Sequence, residues 1–307
     1  MVWFVLALIG AISQALYSLS VKVLLNKIPP FFLAGYSFLA ATLIFVPLIL
    51  FAGIPPLGPG LFPALAATVI INTVATILFY RALSTTDLSL CVPILAFTPV
   101  FLILTSFVIL GEIPSPAGAT GIFLVAAGAF LLTFQSGHGQ SASIRAPFHS
   151  FLYNPGVRSM LIVAFLYSLS VNFDKEVVMN SSPLFGSAIT LFLLAIVFLL
   201  IARLTRTNNT SAAIDPPAPD AVRSDPEFTR SPLVIYGAVG MMLAVEGISI
   251  NIAYTMAIVP YVITIKRLSL FFSVLFGGFV LHEQQIRGRM FGAVVMIIGA
   301  VVIGLWG

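Results

Sequence analysis

Charge is scarce in this chain. Only 8% of its 307 residues are Asp, Glu, Lys or Arg, against about 25% in soluble globular domains. That shortfall excludes a water-soluble globule, whose surface needs far more polar cover. Cysteine is scarcer still: Cys91 stands alone, so no intrachain disulfide and no thiolate metal site is available. Histidine occurs at 138, 149 and 282 only, without the H-E-x-x-H spacing of a metal-binding helix. No G-x-x-x-x-G-K-[ST] loop is present, so an ATP-driven cycle has no phosphate cradle. The 14 basic residues outnumber the 10 acidic ones by four, but they are scattered and form no basic stripe for a nucleic acid. No Lys or Arg precedes Lys22. The first apolar segment thus lacks the basic n-region of a cleavable signal and is expected to stay as a membrane helix.

What the chain has in abundance is apolar length. Hydrophobic residues make up 60% and the mean hydropathy is +1.12. A membrane-crossing helix needs about 20 apolar residues. Ten stretches qualify, at about 3–25, 30–52, 62–83, 88–110, 116–135, 158–179, 183–203, 232–256, 259–281 and 287–306. Proline and glycine punctuate the joints: Pro29 and Pro30, the Gly53–Gly60 segment, Pro114 and Pro116, and Pro260 at the start of the ninth span. Two polar segments are longer, 136–157 and 204–231. The second, rich in Pro, Asp, Ser and Thr, is expected to be disordered.

The sequence repeats itself. Leu16-Tyr17-Ser18-Leu19-Ser20-Val21 in the first span recurs as Leu166-Tyr167-Ser168-Leu169-Ser170-Val171 in the sixth. Glu112, Gly121, Gly128 and Ala129 match Glu283, Gly292, Gly299 and Ala300 at one offset of 171. Tyr80 matches Tyr254, which sets Asn72 opposite Glu246. Each copy lies five spans from its mate, and five is odd, so the second copy crosses in the opposite direction. The expected fold is an all-α membrane protein of ten transmembrane helices in two inverted five-helix repeats, 1–135 and 158–307, joined by a linker at 136–157. Inverted repeats are an architecture of secondary transporters, with the site near the bilayer midplane.

The Gly111-Glu112 end of the fourth span followed by a Gly-rich fifth resembles the EamA-like branch of the drug/metabolite transporter superfamily. So does Leu281-His282-Glu283 followed by Gly292, Gly299 and Gly304, and so does Lys266-Arg267-Leu268-Ser269 ahead of Gly277-Gly278. His282 stands where the family pattern has Gly. The resemblance covers nearly the whole chain and implies a ten-helix transporter, without implying its cargo.

Ionisable groups inside a bilayer are expensive and mark function by default. Glu246 lies mid-span in the eighth segment, and Lys266 and Arg267 a third of the way into the ninth. Measured from the turn between these spans, Glu246 is about 16 Å deep and Lys266 about 10 Å, so the two can meet. They serve either as a cargo- or proton-binding group or as a structural pair. Asn72, mid-membrane in the third span, favours a cavity. Gln14 and Tyr17 share a helical turn in the first span; Tyr167 matches Tyr17 and is equally deep. Tyr80, Tyr254 and Lys175, which Asp174 and Glu176 flank, complete the set of expected substrate-binding residues. Gly118-x-x-Gly121 and Gly288-x-x-x-Gly292 read as close helix packing.

Eleven basic residues flank the loops after the odd-numbered spans, and only Lys175 lies near the opposite face. The positive-inside rule then places those loops in the cytoplasm and both termini outside. The family resemblance implies cytoplasmic termini. The expected activity is secondary transport of small organic metabolites, amino-acid-like or related, by alternating access and as export, from a bacterial inner membrane. The partners are that substrate, a coupling proton and the lipid bilayer; no cofactor, metal or nucleic acid is expected, and a monomer suffices. One acid with two bases suits a zwitterion or an anion. A lipid flippase or a passive channel is the alternative. A membrane-embedded protease is disfavoured, because no apolar span holds a His to serve as base.

Overall fold

A computed structural model describes residues 1–24, 28–85, 92–134, 154–208, 232–281 and 286–307. All regular structure among them is helical: α1 (Val2–Leu24), α2 (Pro30–Ala52), α3 (Leu61–Thr85), a 3₁₀ turn (Val92–Phe97), α4 (Thr98–Leu110), α5 (Pro116–Phe134), α6 (Pro155–Met179), α7 (Pro183–Asn208), α8 (Pro232–Tyr254), α9 (Val259–Lys266), α10 (Ser269–Leu281) and α11 (Ile286–Trp306). Seven apolar segments are long enough to cross a membrane: Val2–Val21, Pro30–Ala52, Leu61–Phe79, Pro155–Met179, Pro183–Thr205, Val234–Tyr254 and Val259–Phe276. Ile94–Leu110, Pro116–Leu132 and Phe291–Trp306 are shorter apolar helices. The protein is therefore a multi-pass integral membrane protein.

Two of the expected spans are not continuous. The ninth divides into α9 and α10 at Arg267 and Leu268. There the bonds tighten to three-residue closures, Leu268 N donating to Ile265 O at 3.0 Å and Leu270 N to Arg267 O at 3.1 Å. The fourth opens with the 3₁₀ turn before α4, and proline explains it. Pro99 has no N–H for the carbonyl of Leu95 and disfavours helical geometry at the residue before it. The Thr98 hydroxyl takes that carbonyl instead, at 2.8 Å. Other edges also move. The helix expected at 158 begins at Pro155, where Asn154 accepts from Gly156 N and Val157 N. The segment expected to be a loop from 204 stays helical to Asn208; the rest of it, like most of 136–157, lies outside the described residues.

The most extensive packing is all between a helix before residue 135 and one after 154: α5 on α11, α3 on α6, α2 on α7 and α1 on α8, followed by α2 on α8, α1 on α10 and α4 on α6. Glycine makes the first of these possible. A Cβ on Gly128 would lie 2.6 Å from Gly292 O, and one on Gly299 would lie 2.7 Å from Gly121 O. Gly118 lets the ring of Tyr261 pass. Gly121 and Gly292 thus act as the close-packing residues expected; the contacts of Gly288 lie outside the described residues. Around this seam Ile122, Val125, Ala129, Met296 and Ile303 are buried in the main apolar cluster.

Hydrogen bonds between turns tie one end of the bundle. Ser115 N donates to the Tyr261 hydroxyl at 2.8 Å, and Ser115 Oγ to Trp306 O at 3.0 Å. Gly58 N donates to Asn180 O and Gly60 N to Asn180 Oδ1, at 2.8 and 3.1 Å. Gly111 ends α4 at a φ of 69°, and its N–H returns to Phe107 O. Only a residue without a Cβ takes this left-handed cap cheaply, and the cap sets the place of Glu112.

Candidate functional site

Two antiparallel helices joined by a tight turn at Thr255–Ile258 bring the eighth span against the ninth. Across them Lys266 Nζ meets Glu246 Oε1 at 2.5 Å, with the carboxylate side chain 9% exposed and the lysine 28%. The Gln14 amide, oriented by its hydrogen-bonding partners, sets its nitrogen 2.6 and 2.7 Å from the two Glu246 oxygens. Glu246, Lys266 and Gln14, all expected at a site, form one cluster on α1, α8 and α9.

Arg267 is adjacent to Lys266 but does not join that cluster. Neighbouring helical residues point about 100° apart. Its neighbour by charge is Tyr167 on α6, whose hydroxyl bonds the side chain of Thr76 on α3. The guanidinium forms no ion pair with a described residue, and its Nε is buried without a hydrogen-bond partner. A membrane-interior cation in this state is unusual, since such groups are normally paired.

A third group lies between α3 and α6. Asn72 Nδ2 donates to Ser170 Oγ at 2.5 Å and to Thr68 O at 3.0 Å. Thr68 Oγ1 donates to Asp174 Oδ1 at 2.5 Å and is 2.8 Å from Ser170 Oγ. Asp174 is also within electrostatic range of Lys266, so the structure adds a second interior carboxylate. Asp174, which flanks Lys175 in the sequence, is not among the expected site residues. A signal was present: Thr68–Asn72 and Ser170–Asp174 are both four-residue polar pairs, the spacing that puts two side chains on one helix face. On the α4 side, Asn172 is satisfied by Thr105 Oγ1, Ser106 Oγ and Ser168 O.

Lys175 is not an open cation. Its ammonium donates to Glu112 Oε1 at 2.6 Å and to Ala257 O at 3.0 Å. Glu112 Oε2 accepts Val259 N at 2.7 Å. The end of α4, the end of α6 and the α8–α9 turn are thereby clasped. Lys175 therefore pairs across the bundle with Glu112, not with the flanking Asp174 and Glu176. Tyr254 is buried within electrostatic range of Asp174, Glu246 and Glu112, and so lies among all three acids. Tyr17 packs instead against apolar clusters that contain Phe45 and Leu33. The side chain of Tyr80 lies outside the described residues. Among the described residues no three His, Cys, Asp or Glu side chains are grouped to hold a metal.

A helical bundle that crosses the membrane repeatedly and keeps Glu246, Asp174, Lys266 and Arg267 among its packed helices defines a polytopic membrane protein with an internal polar site. The chain belongs to the EamA-like transporter family, whose model matches it in two stretches, residues 1–134 and 154–305. No curated protein matches. A solved structure titled "Crystal structure of protein" is similar at a TM-score of 0.75 and 14% identity, with 99% of this chain and 96% of that one covered. At that identity the likeness shows the fold.

Proposed function

We propose that the protein is a secondary transporter that exports small organic metabolites by alternating access around the Glu246–Lys266–Gln14 cluster. The observation that carries this is the 2.5 Å ion pair held in the membrane interior, one residue from the break in the ninth span. Broken helices at matching positions of two halves are the sequence-readable mark of a transporter site. Here α4 and α10 are both 13 residues long, and their first residues, Thr98 and Ser269, are separated by the repeat offset of 171. The family match falls in two stretches that coincide with the halves. The helix pairs also fit an inverted repeat. Advancing each span by five turns α3–α6 into α8–α1 and α4–α6 into a contact of the ninth span with α1, and both are present.

In this reading the cargo displaces one partner of the ion pair, and the rocking of the halves exposes the site to each side in turn. No covalent chemistry is required.

The test begins with thermal stabilisation of the purified protein against a metabolite library. Counterflow of the best ligand in proteoliposomes follows. Glu246→Gln is expected to abolish counterflow. Glu246→Gln with Lys266→Met removes both charges and is expected to refold to wild-type stability while remaining inactive. Recovered counterflow in the double variant returns the pair to a purely structural role. Topology is checked separately. Cysteines at Ser143 and Ser211 in a Cys91→Ser background are expected to resist an impermeant thiol reagent in intact cells; labelling at both would put the termini in the cytoplasm.

A further inference from the structure

The two adjacent cations of the ninth span are in different electrical states. Lys266 is neutralised by Glu246 at 2.5 Å and has Asp174 within range. Arg267 has no acid among the described residues, and its Nε is buried with nothing to donate to. The phenol of Tyr167 beside it is already engaged by Thr76 and brings no compensating charge. A partly buried cation with an N–H that finds no acceptor costs a fold stability. Removing both charge and donors would relieve that cost. Groups kept in unfavourable states inside a structure cluster at ligand sites.

The donor set points to the ligand. A guanidinium presents a planar fork of donors that matches a carboxylate in two parallel bonds. One cation with one phenol neutralises a single negative charge, which is too little for a phosphate dianion. The walls are apolar. Phe79, Leu95, Phe97 and Leu166 are partly buried in the same cluster as Tyr167.

We propose that Arg267, with Tyr167 at its side, is an anion subsite distinct from the Glu246–Lys266 pair. It takes the carboxylate of an aromatic or branched aliphatic organic acid whose apolar body lies against the cluster of α3, α6 and the 3₁₀ turn. The proposal rests on the transporter reading for its role and names the substrate class of that transporter.

The test is equilibrium melting of the purified protein in detergent with benzoate, inorganic phosphate or benzylammonium as probe. Benzoate is expected to raise the melting temperature of the wild type, and phosphate and benzylammonium to leave it unchanged. Arg267→Met without ligand is expected to melt about 2 °C or more above the wild type and to lose the benzoate shift. Arg267→Lys keeps the charge without the fork, and is expected to hold the wild-type melting point and lose most of the shift. Ser20→Ala, on the α1–α8 seam where its hydroxyl reaches Met242, is expected to keep the shift in full. A benzoate shift that survives Arg267→Met, an Arg267→Met protein that melts below the wild type, or a phosphate shift equal to that of benzoate would overturn the subsite. So would the absence of any benzoate shift. These readouts need no transport, so their failure is distinguishable from recovered counterflow in the Glu246 variants, which overturns the transporter reading instead.

Discussion

The two halves of the chain meet through two unlike seams. Between α5 and α11 the contact is backbone on backbone. Gly121 faces Gly299, Gly128 faces Gly292, and the residues around them, such as Val125, Ala129 and Met296, are fully buried and apolar. Between α3 and α6 the contact is made by side-chain hydroxyls, an amide and a carboxylate: Thr68, Asn72, Ser170 and Asp174. Interdigitated backbone has one register, because a small slide drives carbonyls into one another. A hydrogen-bonded seam has several near-equal arrangements, since each hydroxyl both donates and accepts. The rocking proposed above would need both kinds of joint, and on that reading the stiff one falls at α5–α11 and the yielding one at α3–α6.

The largest effect is expected at the stiff seam. Gly128→Ala would put a methyl 2.6 Å from both Gly292 O and Met296 N. Backbone cannot swing aside as a side chain can, so the cost falls at or beyond the top of the 1–3 kcal/mol range for overpacking, about 3 kcal/mol. Urea or thermal unfolding in detergent measures it. Near-wild-type stability would show that the seam can slide.

A comparable loss is expected where charge, not volume, is disturbed. Glu246→Gln strands Lys266 in the membrane interior, at a cost of about 3 kcal/mol or more, and the double change with Lys266→Met restores stability. Next comes the clasp. Lys175→Met leaves the Glu112 carboxylate with only the Val259 N–H, at a cost of about 2 kcal/mol for a charge-assisted bond. If the clasp holds one face of the bundle closed, thiol reagents should reach a cysteine placed at Tyr254 faster in that variant. An unchanged labelling rate would limit Glu112 and Lys175 to fixing the helix ends.

Much of this was legible in the sequence, for physical reasons that differ by feature. The apolar segments follow from hydropathy alone. The meeting of Glu246 and Lys266 followed from the 1.5 Å helical rise, because both are counted from one short turn. The close packing of Gly118, Gly121 and Gly292 followed from their spacing, whereas their partners Gly128 and Gly299 stood out only as members of the repeat. The breaks in the fourth and ninth spans did not emerge, although Pro99 in the fourth carried the signal. In the ninth, the residues around Arg267 show no breaker, and tertiary packing sets the kink. The pairing of Glu112 with Lys175 could not be seen, because nothing local relates residues 63 positions apart. Which way Arg267 turns depends on whether Tyr167 or Glu246 faces it, and that is a property of the bundle.

The smallest effect is expected at Ser170. Its hydroxyl accepts from Asn72 and sits 2.8 Å from Thr68 Oγ1. Ser170→Ala removes both contacts, yet Asn72 keeps Thr68 O and Thr68 Oγ1, and Thr68 keeps Asp174. No buried polar group is left without a partner, and unmade bonds are where the cost of such changes lies. The loss should stay below about 1 kcal/mol, or roughly 2 °C in melting temperature. Ser20, its match in the sequence repeat, bonds Leu16 O in its own helix and reaches only Met242 Sδ, at 3.7 Å, across the α1–α8 seam. Ser20→Ala should therefore cost less again. If either change destabilises the protein as much as Gly128→Ala, the polar seam is as unforgiving as the glycine one. The proposed rocking would then have to be sought at α1–α8 and α2–α7.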